Sequence, residues 1–277
     1  WADARFPRDG RSKKIHGISI DDKQIDDLEF QFDTQSEPEV TIVIPVYNQY
    51  RTTLVCLKSI LHNTKEVAYE IIIADDHSSD LTKTIEERIK GIRVVRHERN
   101  MGFLQNCNSA AREAKGSFLV FLNNDTSVES GWLTELLETL KKDSSAGMVG
   151  PQLLFPDGRL QEAGGIIWKD GSGWNYGRGE SPQSYQFNYR KEVDYISGAC
   201  LLLRKNLWDT VGGFDERFSP AYYEDTDLAF AIRQIGLKVI YQPKSKVIHY
   251  EGVSNGTNLN TGIKKFQLRN KEIFRQK

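Results

Sequence analysis

Four short apolar runs, each ending in a cluster of polar residues and followed by a helix-like pattern, constrain this chain more than any other feature. Residues 40–44 end at Pro45-Val46-Tyr47-Asn48. Residues 70–74 end at Asp75-Asp76-His77-Ser78-Ser79-Asp80. Residues 92–96 end at residues 97–102, and residues 117–122 end at Asn123-Asn124-Asp125-Thr126. The first run is β-branched and almost wholly apolar, as a parallel strand buried on both faces has to be. Pro45 is expected to end it, because proline cannot donate to the ladder of a central strand. Strands alternating with helical patterns predict βαβ units, a largely parallel sheet and right-handed crossovers, hence an α/β fold. In such a sheet, ligands bind outside the carboxyl ends of the strands. The four polar clusters therefore converge on one crevice, and their side chains suit a base, a sugar and a metal-bound diphosphate.

The segments between the strands carry helical spacing. Leu54, Leu57 and Leu61 share one face over residues 51–63. Leu81, Ile85 and Ile89 form a second stripe, with Ser79 or Asp80 as N-cap and Gly91 as stop. A small-residue helix is expected over 105–115, and Trp132, Leu133, Leu136, Leu137 and Leu140 mark a strongly amphipathic one. Beyond about residue 147 the pattern changes. Phe155-Pro156-Asp157-Gly158-Arg159 reads as a turn. Residues 171–189 are rich in Gly, Ser, Tyr and Trp; a loop of that length is either a lid, with Trp174, Tyr176 and Tyr185 stacking on sugars, or a disordered insertion. A strand is expected over 193–203, a helix over 225–236, two short strands over 238–241 and 246–250, and a basic helical stretch over 263–277. The expected organisation is a polar lead-in over 1–38 with a short strand near 15–20, a main domain over 39–253 with halves 39–146 and 147–253, and a tail over 254–277.

A net charge of −1 provides no global field toward nucleic acid or an anionic membrane. Cys56, Cys107 and Cys200 lie far apart without metal-ligand spacing, which suggests reduced, buried thiols and a cytosolic setting. No run approaches the ~18 apolar residues of a spanning helix, and no charged-then-apolar leader is present. The chain opens on Trp1, so it reads as a piece excised from a longer polypeptide whose other domains are partners.

Several residues are able to carry chemistry. Asp125, at a buried strand end beside Asn123 and Asn124, is a suitable hard-oxygen ligand for Mg²⁺ or Mn²⁺ with a diphosphate; the same residues also serve as ordinary turn formers. Glu224, Asp225 and Asp227 exceed what a helix N-cap needs, and acid/base catalysis needs a fixed carboxylate. His249 ends a strand, where an imidazole is either structural or a metal ligand. Asp76 either accepts the imide N–H of uracil or caps the next helix. No G-x-G-x-x-G, Walker A loop, nucleophile elbow or zinc spacing is present.

Taken together, these stretches resemble the family 2 glycosyltransferases of the GT-A fold. The resemblance covers roughly residues 39–253. It rests on T-I-V-I-P-V-Y-N (41–48), I-I-I-A-D-D-H-S-S-D (71–80), Asn100-Met101-Gly102-Phe103 with Asn108, and F-L-N-N-D-T (121–126). It continues through Ser197-Gly198-Ala199, Gly212-Gly213-Phe214-Asp215, residues 223–227 and His249. The likeness is to non-processive members that build bacterial O-antigen, capsule or other surface polysaccharides, the rhamnosyltransferase-like group. It implies inverting transfer from a UDP- or dTDP-sugar to a glycan or lipid-linked acceptor, at the cytoplasmic side with peripheral contact at the inner membrane. It implies that Pro45, Tyr47 and Asp76 hold the base and ribose, with Asn100, Gly102, Asn108, Asn123 and Asn124 also on the donor. Asp125 and His249 would hold Mn²⁺ or Mg²⁺, Asp225 would act as general base, and Glu224 would orient the acceptor. Asn123 departs from the pattern, standing where the first acid of D-x-D is expected, and so removes a charge from the metal site.

Two other readings stand beside this one. A GT-A module that binds nucleotide or glycan without turnover is compatible with Asn123. A nucleotidyltransferase would need a Gly/Arg/Lys-rich loop after the first strand, and residues 45–50 offer none.

Overall fold

The computed structural model describes residues 13–15, 18–20, 28–250 and 265–277. Near the N-terminus, where one short strand was expected, β1 (Lys13–Ile15) pairs antiparallel with β2 (Ile18–Ile20). β3 (Phe30–Gln31) is followed by the four expected strands: β4 (Val40–Val46), β5 (Tyr69–Asp75), β7 (Arg93–Arg96) and β8 (Phe118–Leu122). Between them lie α1 (Tyr50–Asn63), a 3₁₀ turn (Leu81–Thr84) with the single-turn α2 (Ile85–Arg88), β6 (Ile89–Lys90), and α3 (Phe103–Arg112). These four strands run parallel in the order β8-β4-β5-β7. The first of them in sequence is thus flanked by the second and the fourth, and the order reverses between β4 and β8. That reversal is where an open α/β sheet forms its binding crevice.

The second half extends the same sheet. It comprises β9 (Thr126–Val128), α4 (Trp132–Lys142), β10 (Ala146–Leu154), β11 (Leu160–Glu162), β12 (Gly165–Ile167), β13 (Gly173–Asn175) and β14 (Lys191–Glu192). β15 (Cys200–Arg204), α5 (Lys205–Val211), α6 (Glu224–Gln234), β16 (Lys238–His249) and α7 (Phe266–Gln276) follow. β15 joins β8 antiparallel, and the path continues β10, β16, β14. Residues 171–189 hold β13, which closes an antiparallel hairpin with β12.

Alternation along the strands fills both faces. Ile42, Ile44, Ile71, Ile73, Val120 and Leu122 pack beneath α1 and α4, while Val43, Ile72, Ala74, Leu119 and Phe121 pack on the side of α3, α5 and α6. Each fully buried Ile or Leu contributes about 1.5–3 kcal/mol relative to exposure. Cys56, Cys107 and Cys200 are free and buried in these layers, as expected.

Four expectations are corrected. Pro45 does not end its strand: it pairs with Ala74 inside β4, and is tolerated there because pairing with β8 stops at Val43, leaving that flank open. The helix expected through Ile89 is only a 3₁₀ turn plus one helical turn, since Ile89 instead pairs with Phe30. The strand expected over 193–203 begins only at Cys200, because the Ser197 and Gly198 amides are committed to side-chain carboxylates. The two strands expected near the end are one, β16, with a register shift opposite Pro151 and Gln152.

Candidate active site

The ends of β4 and β5 are tied to each other. Asn48, in the left-handed region that Asn tolerates, accepts at Oδ1 from the Ser79 and Asp80 N–H groups at 2.8 and 3.2 Å. Asp80 caps the 3₁₀ turn through Thr82 N and also accepts from Tyr50 N. Beside this tie, Tyr47 is 55 % exposed and open to a ligand, with buried Pro45 beneath. Asp76 is neither a helix cap nor an empty acceptor. Its two oxygens receive Met101 N–H at 2.6 Å and Gly102 N–H at 2.9 Å, which pulls the β7–α3 loop over the end of β5. Gly102, at φ +84°, packs against Pro220 so closely that a Cβ would stand 3.0 Å from the proline ring. Asn100 in the same loop is exposed. Asn108, expected on the donor, exchanges two hydrogen bonds with the backbone of Phe214, at 2.8 and 3.0 Å, and so joins α3 to the loop after α5.

At the end of β8 the chain turns through Asn123 and Asn124. Asn124 is buried and donates to Thr53 Oγ1 at 3.0 Å, while Asn123 is half-buried and its N–H donates to the Ala199 carbonyl at 2.9 Å. Asp125 is 3 % exposed. β9 then pairs antiparallel with β16, His249 opposite Thr126, and this register brings His249 Nε2 to 3.2 Å from Asp125 Oδ1. The other ring nitrogen, Nδ1, lies 3.0 Å from Gln161 Oε1 on β11. A carboxylate and an imidazole held from behind by a side-chain carbonyl form the usual geometry of a metal-ligating pair. Among the described residues no group of three or more His, Cys, Asp or Glu side chains is placed to hold a metal ion. The carboxylate of Asp125 and the imidazole of His249 are of a chemistry that suits two ligands of a divalent cation.

The acceptor half contributes the N-terminus of α6. Tyr222 and Tyr223 both adopt positive φ, 77° and 71°, a strained approach of the kind that clusters at functional sites. This approach is braced on two sides. Tyr223 Oη donates to the Gly171 carbonyl at 2.9 Å, and fully buried Asn270 of α7 donates to the carbonyls of Phe218, Ala221 and Tyr222. Asp225 Oδ2 accepts from Gly198 N–H at 2.8 Å, and Oδ1 accepts from Thr226 N–H at 2.7 Å. Burial pushes the Asp225 carboxyl above its ordinary range, against the pull of these N–H bonds. Glu224 is pushed well above its range by burial and by the charge of Asp225, and its Oε2 is buried without a hydrogen-bond partner.

The sequence reading missed Gln161 and Glu162. Glu162 is 1 % exposed and accepts Ser197 N–H at Oε1. Burial pushes its carboxyl to about 8, the charge of Asp225 adding to the rise and His249 opposing it. The only available signal was a polar pair flanked by Leu160 and Ala163 after a turn.

Asp125 and His249 thus touch. Asp225 hangs from the turn whose Ala199 carbonyl accepts from Asn123 N–H, so a chain of hydrogen bonds links it to the turn that carries Asp125. They do not line the cavity of about 530 Å³ on the other side of α6, which is bounded by Trp208, Phe214, Asp215, Asp227 and Lys277.

Comparison with known proteins bears on the fold and the family. The chain is 29 % identical over 235 residues to the O-antigen biosynthesis protein RfbC of Myxococcus xanthus, covering 81 % of this chain and 18 % of that protein. It is 26 % identical over 216 residues to the N-acetylglucosaminyl-diphospho-decaprenol L-rhamnosyltransferase of Mycobacterium tuberculosis, covering 67 % and 68 %. The chain spans a quarter or less of the first two curated relatives it matches, 25 % and 18 %. Among solved structures, GalNAc-T7 with UDP, GalNAc and Mn²⁺ superposes with a TM-score of 0.65 at 18 % identity, over 77 % of this chain and 43 % of that one. The mannosyltransferase PcManGT from Pyrobaculum calidifontis, in complex with GDP-Man and Mn²⁺, superposes at 0.54 and 17 % identity, over 77 % and 57 %. The fold is therefore the GT-A fold that the family resemblance implied. The profile described as Glycosyl transferase family 2 matches residues 41–211, and the chain belongs to that family.

Proposed function

We propose that this chain transfers a sugar, with inversion, from a UDP- or dTDP-sugar to a hydroxyl of a glycan or lipid-linked acceptor in surface-polysaccharide synthesis. The carrying observation is the meeting of Asp125 with His249 beside the reversal of strand order, with Asp225 linked to the same turn through residues 197–199. The named relatives in O-antigen synthesis and rhamnosyl transfer support the same reading.

In this reading Asp225 takes the proton from the acceptor hydroxyl as that oxygen attacks the anomeric carbon from the face opposite the leaving group. A fixed base of this kind contributes roughly 10²–10⁴-fold. Its raised proton affinity makes Asp225 a stronger base once ionised. Glu224, buried beside it with a carboxyl pushed well above its ordinary range by burial and by the charge of Asp225, orients the acceptor. On the donor side, Tyr47 and Asn100 present exposed faces to the nucleotide, with Asn123 and buried Pro45 and Asn124 behind. Asp76, Gly102 and Asn108 shape the same cleft by fixing the β7–α3 loop and α3. Asp125 and His249 would hold Mn²⁺ or Mg²⁺, which would supply positive charge against the charge of the departing diphosphate.

No helix among the described residues is long and apolar enough to cross a membrane. Work on a lipid-linked acceptor would then use peripheral contact at the inner membrane, from the cytoplasmic side. The test is a thermal-shift panel of UDP- and dTDP-sugars with and without Mn²⁺, followed by nucleotide release, because a ligand that binds only the folded form raises its melting point. Metal-dependent stabilisation with turnover supports transfer. Stabilisation without turnover leaves a binding module, and no response to any nucleotide-sugar overturns the reading.

A further inference from the structure

The turn at residues 197–199 gathers three parts of the site. Ser197 N–H donates to Glu162 Oε1 at 3.1 Å, and the next N–H, of Gly198, donates to Asp225 Oδ2 at 2.8 Å. The Ala199 carbonyl accepts from Asn123 N–H at 2.9 Å. These residues precede β15, and the Asn123–Ala199 bond ties the turn's far end to the β8 side of the sheet. Apart from Asp225 itself, the side chain that holds its near end is the buried carboxyl of Glu162, whose Oε2 is buried without a hydrogen-bond partner.

We propose that Glu162 is a positioning residue for Asp225: it anchors the Ser197–Gly198 turn, and the turn presents the N–H that fixes the Asp225 carboxylate. This rests on the reading of Asp225 as the base. Without Glu162, the half-buried Ser197 N–H loses its acceptor, and the backbone is free to turn it toward a new partner. A shift of about 1 Å in a positioned group is enough to cost about 10²-fold in rate.

The surroundings of Glu162 fit a neutral anchor. Asp225 faces it from α6, His249 from β16 and Arg178 from the loop after β13, with the Tyr195 and Tyr241 phenols nearby. Burial leaves the carboxyl protonated at pH 7, so it stands beside Asp225 without a second negative charge. A glutamine keeps both the neutral state and the accepting oxygen. An alanine keeps neither the oxygen nor the fill.

Glu162→Gln and Glu162→Ala separate these roles. Amide hydrogen exchange at Gly198 is followed by NMR in each variant. Nucleotide release is measured from UDP-glucose, UDP-galactose, UDP-N-acetylglucosamine and dTDP-rhamnose. UDP affinity in the presence of Mn²⁺ is measured by calorimetry. Glu162→Ala is expected to lose Gly198 protection by roughly tenfold or more and to lower kcat about 10²-fold, with UDP affinity unchanged. Glu162→Gln is expected to restore both. Unchanged protection and kcat in Glu162→Ala would overturn the proposal, as would Glu162→Gln being as impaired as Glu162→Ala. Should the alanine variant not fold, Glu162→Asp, shorter by one methylene, carries the same expectation. A wild-type chain that releases nucleotide from none of the four sugars counts against glycosyl transfer, and the exchange measurement still decides the positioning role.

Discussion

His249 Nε2 stands 3.2 Å from Asp125 Oδ1, although 124 positions separate the two in the chain (249 − 125). Asp125→Ala is expected to weaken UDP binding in the presence of Mn²⁺ and to leave metal-free binding nearly unchanged. Calorimetry with and without Mn²⁺ checks this, and a dissociation constant that does not move with metal present removes the ligand role.

Asp225→Asn keeps the shape of the side chain and an oxygen for the Gly198 N–H. Transfer should fall by roughly 10²–10⁴-fold, while UDP affinity stays within a few-fold of the parent chain. Near-normal turnover would assign the base to another group.

Activity should be lost on acidification at a higher pH than an ordinary aspartate would give, because the Asp225 pKa is raised and only its ionised form accepts a proton. A pH profile of kcat/KM whose acid limb sits at the normal aspartate position would contradict the buried setting of that carboxyl.

Glu162 links pH to stability. Its folded value of about 8 lies above the ordinary 4.5, so the folded state holds its proton more tightly than the unfolded state. Its contribution is complete below about 4.5, falls as the pH rises, and is gone above about 8. Denaturant unfolding at pH 5 and pH 8.5 should show the parent losing more stability than Glu162→Gln over that interval. Equal losses would mean that the carboxyl is not held protonated.

Asn270→Ala removes the donor shared by the carbonyls of Phe218, Ala221 and Tyr222. A destabilisation of about 1–3 kcal/mol is expected from leaving buried polar groups unmet, read as a lower denaturation midpoint. An unchanged midpoint would show that α7 does not brace the entry to α6.

What could be read beforehand was local and repetitive. The strands ending near Val46, Asp75, Arg96 and Leu122 were legible because apolar runs and polar stops are contiguous. Asp125 and His249 were named from their places at strand ends, but only the antiparallel pairing of β9 with β16 puts them in contact. Ile89 fitted a helical stripe and was taken instead by Phe30 from a distant segment. Glu162 was invisible because β11 has three residues, too few for any period, and its burial comes from pairing with β10. Asn270 in a basic helix gave no sign of its three carbonyls, which lie about fifty positions upstream.

The register of β9 on β16 sets a tolerance for change. Val247 faces Val128, Ile248 faces Ser127 and His249 faces Thr126. Successive residues on a strand point to opposite sides, so a slip of one place would turn the imidazole away from Asp125 with every ligand residue still present. A single-residue deletion within 126–128 or at 247 or 248 should therefore break the Asp125–His249 contact, and with it the proposed metal response, as fully as losing the histidine, whereas conservative exchanges of Val128 or Val247 should be harmless.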